Sequence, residues 1–295
     1  MPLVDCATLI RHACENKYAV AQVNTNGGMY DLTRAIVEVA EAEQAPILLG
    51  AYEANLAYRG FEYAGTVMRF FAERVWAPPV AIHLDHGSST EVCQRAIDAG
   101  FNSVMIDGSQ LSIEENIAQC RQVVALARPR GITVEAEVGE LQKLNPDGSI
   151  SDVRNLSDPG EVARLSSETG IDMLAVGIGN AHGFYKGQPD IRFDLLEALA
   201  AASKVPLVLH GSTGLADETI QRCTLMGMAK VNLGTLIRTR YVEYTAEVIA
   251  EGKHQNHPWR VSQEVCERIK PHVRHIIRIT GSAGRARELD ACRAG

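Results

Sequence analysis

The sequence predicts an α/β fold, a (β/α)8 TIM barrel with an N-terminal capping helix and a C-terminal helical extension, forming one domain over residues 1–295. Three observations predict it. Eight short, near-continuously apolar runs recur along the chain, as expected of parallel strands buried on both faces. Each is followed by an amphipathic stretch long enough for a helix, and eight alternations favour a closed barrel over an open doubly wound sheet. Polar and acidic residues gather at the ends of the runs, where barrel enzymes carry their chemistry.

In chain order, a helix over 5–15 precedes the first strand and caps the bottom of the barrel, which spans about 18–252. The β-branched or apolar runs place strands at 19–23, 46–49, 80–85, 103–107, 133–138, 173–176, 206–210 and 230–233. Amphipathic spacing places the crossover helices at 32–43, 63–75, 91–99, 113–127, 161–169, 192–202, 218–226 and 237–251. Two stretches depart from the alternation. Residues 139–155 are long and polar and contain Asn145-Pro-Asp-Gly148; loops of that length inside a compact domain are usually functional, and a mobile lid is expected. The tail from 253 is polar to 258 and then helical over 259–279, an appendage to the barrel rather than a second core.

Composition narrows the partners. With 46% hydrophobic and 22% charged residues the chain is an ordinary globular protein, which excludes collagen, coiled coil and long disorder. A net charge of −7 argues against nucleic acid and against an anionic membrane surface. Small phosphorylated molecules remain open, because a few local donors suffice to hold a phosphate. The seven cysteines are scattered without a Cys-x-x-Cys, no signal-like segment follows Met1, and no apolar run approaches membrane-spanning length. The expectation is a reduced, cytoplasmic protein whose cysteines serve as small buried hydrophobes.

The strand ends form a coherent set. Strand one ends in Asn24, strand three in Asp85 and His86, strand four in Asp107, and strand five carries Glu135 and Glu137. Strand six runs into a glycine-rich loop ending at His182 and Gly183, strand seven into His210-Gly-Ser-Thr-Gly214, and strand eight into Asn232-Leu-Gly-Thr235. Three histidines from three strands, His86, His182 and His210, suit zinc or a related divalent ion and leave a coordination position open. His83, two residues before Asp85, faces the same way but deeper, so it reads as layer-filling. The loops carrying Gly183 and Lys186, Gly211, Ser212 and Thr213, and Asn232, Leu233, Gly234 and Thr235 can turn backbone N–H groups towards a phosphate. Strands seven and eight are where barrels often bind one.

These stretches resemble the class II, zinc-dependent ketose-bisphosphate aldolases. The resemblance rests on His83-Leu-Asp-His-Gly87, Ser103-Val-Met-Ile-Asp-Gly108, Val134-Glu-Ala-Glu-Val-Gly139 and Ser157-Asp-Pro159. It continues through Leu174-Ala-Val-Gly-Ile-Gly-Asn-Ala-His-Gly-Phe-Tyr-Lys186, Pro206-Leu-Val-Leu-His-Gly211, Lys230-Val-Asn232 and Gly281-Ser-Ala-Gly284. The motifs come in family order, cover most of the chain and resemble both the fructose- and tagatose-bisphosphate branches. The resemblance implies one zinc ion per chain on His86, His182 and His210, with Glu137 as an alternative ligand and Asp107 a further acid close by. It implies that Asp85 is the catalytic carboxylate. Asn24, Gly183, Lys186, Gly211 to Thr213 and Asn232 to Thr235 are expected to hold the ketose C1 phosphate and the dihydroxyacetone portion. The implied activity is reversible cleavage of a phosphorylated ketose, bisphosphate-like or a sulfonated or deoxy variant, into dihydroxyacetone phosphate and an aldehyde, by a homodimer or homotetramer.

The sequence departs from the family pattern at three places. Glu140-Leu-Gln-Lys-Leu-Asn-Pro-Asp147 replaces the family's Gly-Gly-x-Glu-Asp loop, leaving Asp147 as the substitute acid. Ala51-Tyr-Glu53 stands where a phosphate-binding serine is usual, so Tyr52 is expected either to pack or to reshape the site, and the seventh loop reads Gly-Ser-Thr-Gly. Three other chemistries stay open. A zinc hydrolase would carry His-x-His on strand one, which has no histidine. A Schiff-base aldolase would need a strand lysine, for which Lys230 is the candidate. A non-catalytic partner subunit of an aldolase would have lost its ligands.

Overall fold

The computed structural model describes residues 3–74, 78–139, 156–187, 189–254 and 256–290. Eight strands close into one barrel in sequential order. They are β1 (Val20–Asn24), β2 (Ile47–Tyr52), β3 (Val80–Gly87), β4 (Ser103–Ile106), β5 (Thr133–Val138), β6 (Met173–Val176), β7 (Leu207–Leu209) and β8 (Met228–Leu233). All neighbours pair in parallel, and β1 closes on β8 with Ala21 beside Val231. The predicted fold is the observed one.

A parallel barrel must bury both faces of every strand, and it does so differently at its two ends. At the N-terminal end, helix α1 (Cys6–Glu15) buries Cys6, Leu9, Ile10 and Ala13 against Val20, Leu48, Ala81, Met173 and Val208 inside the barrel. Asp5 caps this helix by accepting from the N–H groups of Ala7 (3.2 Å) and Thr8 (3.1 Å). The plug is fastened by Val4 N–H donating to the Val80 carbonyl (3.1 Å) and by Asn102 Nδ2 donating to the Val4 carbonyl (2.7 Å).

The outer ring runs α2 (Tyr30–Ala42), α3 (Glu53–Arg59), α4 (Phe61–Ala72), α5 (Thr90–Asp98), α6 (Ile113–Ala127), α7 (Pro159–Glu168), α8 (Phe193–Ala202), α9 (Asp217–Leu225) and α10 (Thr235–Ala250). Local chemistry fixes several starts. Ser112 and Glu115 form a reciprocal capping box on α6, and Asp158 caps α7 immediately before Pro159. Helix α3 was not anticipated. It has one buried residue, Leu56, and is separated from α4 by Gly60 at φ 93°, so it carries no apolar periodicity to read.

The tail requires a correction. Helix α11 (Pro258–Ile279) is not an appendage, because Ile269, Val273, Ile276 and Ile277 belong to the main core, packed with α2 and α10. Burying an aliphatic side chain contributes roughly 1.5–3 kcal/mol, so four of them integrate the tail into the domain. Arg274 and Arg278 add hydrogen bonds of 2.9–3.0 Å to the Glu43 carboxylate at the end of α2. A last helix, α12 (Ala286–Asp290), follows, and Leu289 joins the bottom plug. No described helix is long and apolar enough to cross a membrane. The six described cysteines are unpaired, and all but Cys14 are buried.

Candidate active site

Side chains two apart on a strand share a face. On β5 this sets Glu135 and Glu137 inside the barrel, on β8 Lys230 and Asn232, and on β3 His83 and Asp85. His83, Glu135 and Lys230 are fully buried one pleat below Asp85, Glu137 and Asn232. Consecutive strand residues should point to opposite faces, yet both Asp85 and His86 line the same cleft. The cause is a register shift between β3 and β4 over 84–87, together with a left-handed backbone at His86 (φ 53°).

The cleft has a volume of about 1160 Å³ at the C-terminal ends of the strands. His86, His182 and His210 converge in it, each offering a nitrogen within 4.8 Å of the others. Nε2 of His86 lies 3.0 Å from Nδ1 of His210. A tetrahedral ion with bonds of about 2.0–2.1 Å to imidazole would set its ligand atoms about 3.3 Å apart, so the spacing fits. The opposite nitrogens are anchored: His86 Nδ1 lies 2.8 Å from Asp107 Oδ2, and His210 Nε2 lies 2.8 Å from Glu135 Oε1. Carboxylates behind the imidazoles fix which nitrogen faces inward, as in metal centres generally. Glu137 Oε2 lies 3.7 Å from His86 Nδ1 and 3.9 Å from His210 Nδ1. His86, Asp107 and Glu137 thus form a second set of possible ligands.

The electrostatics match a cation site. Burial opposes charge on His86, but its hydrogen bond to Asp107 and the carboxylates of Asp85 and Glu137 outweigh it and push the imidazolium up to about 10. His182 is pushed down to about 4, and His210 well below the usual histidine range, by burial first and then by the charge on His86. The carboxylates of Asp85, Asp107 and Glu137 favour positive charge at this point of the cleft, which is what a bound cation requires. Asp85 is 7% exposed and receives Asn232 Nδ2 at 3.1 Å and Asn24 Nδ2 at 3.4 Å. Burial favours its neutral acid, but His86, His210 and Lys230 hold it below the usual carboxylate range.

The loops after β6, β7 and β8 meet beside the histidines. Gly211 sits at φ 63°, and a side chain there would collide with the Ala181 carbonyl, so only glycine permits the close approach of the two loops. The Tyr185 hydroxyl ties them, accepting from Ala181 N–H (2.7 Å) and lying 2.9 Å from the Gly211 carbonyl. Gly183, Gly211, Ser212, Thr213, Asn232, Gly234 and Thr235 all line the cleft, as does Asn24. Two anticipated residues do not join them. Lys186 is exposed and absent from the lining, and Leu233 is packed in the main core. Leu233 follows Asn232 on the strand and therefore faces the opposite way.

Tyr52 lines the cleft with its ring edge-on to His86 at 6.3 Å between centroids. Arg238 was missed, although it lies three residues after Thr235 on the first turn of α10 and also lines the cleft. Lys230 lies beneath the floor, outside the lining, with Nζ 2.8 Å from Glu135 Oε2. A buried, ion-paired ammonium is poorly placed for Schiff-base chemistry. Asp147 falls outside the described residues.

Known proteins share this architecture. The sequence model of the family "Fructose-bisphosphate aldolase class-II" matches residues 4–285. The chain is 38% identical over 288 residues to 6-phospho-5-dehydro-2-deoxy-D-gluconate aldolase of Bacillus licheniformis, covering 97% of both chains. It is 40% identical over 291 residues to fructose-bisphosphate aldolase of Staphylococcus epidermidis, covering 97% of this chain and 100% of that one. In structure it resembles the YdjI aldolase of Escherichia coli K12, with a TM-score of 0.83, 30% identity, and coverage of 97% and 100%. The chain therefore belongs to the class II fructose-bisphosphate aldolase family, and the protein is an aldolase, a lyase acting on a carbon–carbon bond.

Proposed function

We propose that the protein catalyses zinc-dependent, reversible aldol cleavage of a phosphorylated ketose, releasing dihydroxyacetone phosphate and an aldehyde. The observation that carries this reading is the convergence of His86, His182 and His210 beside Asp85 in one cleft. His86, His182 and His210 would hold a divalent ion, which would supply Lewis-acid stabilisation of charge developing beside the ketose carbonyl. The chain's own groups do the rest. Asp85, kept ionised and held by Asn232, takes the C4 hydroxyl proton as the C3–C4 bond breaks and the aldehyde leaves. The electron pair left on C3 takes up a proton from water in the open cleft to give dihydroxyacetone phosphate. Backbone N–H groups of the Gly211 to Thr213 loop and of the first turn of α10, where Gly234 provides no side-chain cap, hold the C1 phosphate. Asn24 and Asn232 orient the dihydroxyacetone portion while steadying the Asp85 carboxylate.

Relatives of near-equal identity are named for two different sugars, which leaves the aldehyde half as the variable part. The test is metal removal followed by a panel of phosphorylated ketoses. A strong chelator should abolish release of dihydroxyacetone phosphate, and about one equivalent of zinc per chain should restore it. Full turnover in a verified metal-free sample would refute the zinc mechanism.

A further inference from the structure

Beneath the cleft lies a charged cluster that the proposed reaction does not use. His83, Glu135 and Lys230 are all fully buried. An ion pair taken out of water costs several kcal/mol per charge unless its geometry repays it, so a buried lysine–glutamate pair requires an account. Its second contact provides one. Glu135 holds Lys230 Nζ through Oε2 at 2.8 Å and His210 Nε2 through Oε1 at 2.8 Å.

We propose that Lys230 and Glu135 are a positioning pair, which locks His210 in the Nε2–H tautomer with Nδ1 turned to the ion and thereby sets the affinity of the site. The proposal rests on the reading of His86, His182 and His210 as metal ligands. An ionised carboxylate only accepts hydrogen bonds, so a glutamate facing Nε2 obliges that nitrogen to carry the proton. The remaining lone pair, on Nδ1, then points to Nε2 of His86 at 3.0 Å. The Asn232 amide, 3.2 Å from the same Nε2, cannot take this role, because its Nδ2 is itself a donor and is directed to Asp85 Oδ1 at 3.1 Å.

Lys230 supplies the counter-charge that lets a carboxylate sit in a dry interior. His83 completes the shell, with Nε2 3.4 Å from Glu135 Oε2 and Nδ1 2.8 Å from Ser103 Oγ. His210 is thus braced from the barrel interior, whereas His86 is braced from the rim by Asp107.

The test is cobalt affinity by chelator competition, with the visible absorption of the bound cobalt and the melting temperature of the metal-free protein. Wild type is compared with Glu135→Met/Lys230→Met, which removes both charges at similar volume, a change that buried ion pairs often tolerate or gain from in stability. A positioning pair predicts about 10–100-fold weaker cobalt binding and an altered spectrum in a protein that still melts cooperatively. Glu135→Gln keeps shape and an acceptor oxygen but not the charge, and should lose about tenfold, whereas wild-type affinity and spectrum in it would count against the proposal. A merely structural pair predicts wild-type affinity and spectrum in the double variant, and that result would overturn the proposal. Should the double variant not fold, the same two readouts on Glu135→Gln decide it. If His182→Ala and His210→Ala bind cobalt as wild type does, the ligand reading fails and the pair's role fails with it.

Discussion

The two ends of the barrel are built from the same eight strands and solve opposite problems. At the N-terminal end α1 drives Leu9 and Ile10 into an apolar plug, and at the C-terminal end the same pleats present histidines and carboxylates to an open cleft. The plug gains mainly from burial, with a few hydrogen bonds at Asp5, Val4 and Asn102 to fasten it. The rim holds groups that are costly to assemble and useful only because something can enter. Stability and chemistry are therefore separable by altitude along the strand, except where His83, Glu135 and Lys230 connect the two levels.

That separation can be broken deliberately. Asp85→Asn at the rim should retain metal and melting behaviour while lowering kcat by about 10²–10⁴-fold, the scale of a lost general base. Stopped-flow or coupled assays at saturating metal would measure this. Near wild-type turnover would transfer the role to Glu137. The converse experiment is Leu9→Ala in the plug, which should cost about 2–5 kcal/mol of stability and leave kcat per folded molecule unchanged. Chemical denaturation paired with active-site titration separates the two effects.

A smaller test concerns the clasp of the tail. Glu43 accepts from Arg278 and Arg274, and these hydrogen bonds, that from Arg278 foremost, hold its carboxyl below the usual glutamate range. A carboxylate lowered on folding stabilises above its unfolded pKa and loses that contribution as pH falls through the folded value. Glu43→Gln should therefore lower stability by roughly 1–2 kcal/mol near neutrality, with the gap to wild type closing as pH falls below about 4. Melting curves across that range decide it. The smallest expected effect is at Tyr52, edge-on to His86 in the cleft. Tyr52→Ser should alter the ratio of kcat/KM between fructose- and tagatose-bisphosphate by a few-fold, about 1 kcal/mol, without a common loss of kcat. A uniform change would mean that Tyr52 packs and does not select.

Much of this was legible from residue patterns, and the failures are instructive. The fifth and sixth strands match their predicted limits, 133–138 and 173–176, and each run stops at a glycine, Gly139 and Gly177. The convergence of His86, His182 and His210 followed from strand-end positions alone once closure was assumed. Periodicity could not show that α11 is core, since an amphipathic tail helix looks the same whether it packs on its own barrel or elsewhere. Charge and nearness in sequence to Gly183 point to Lys186, but its side chain is exposed and outside the cleft lining. Arg238 was overlooked because a basic residue on an amphipathic helix usually signals solvent. The buried pair was visible only as parity: Glu135 and Lys230 each stand two residues before a rim side chain, which places them on the inner face.

The left-handed backbone at His86 has an evolutionary consequence. Such a conformation costs an ordinary L-residue roughly 1–2 kcal/mol, histidine being among the more tolerant, and glycine almost nothing. Selection for folding alone would exchange His86 for glycine and relax the turn that brings it beside Asp85. A descendant of this barrel released from catalysis should therefore drift at position 86 early, becoming more stable as it became inert. The imidazole sits in a turn that glycine would take at lower cost, so its side chain beside Asp85, rather than the backbone, is what the position supplies.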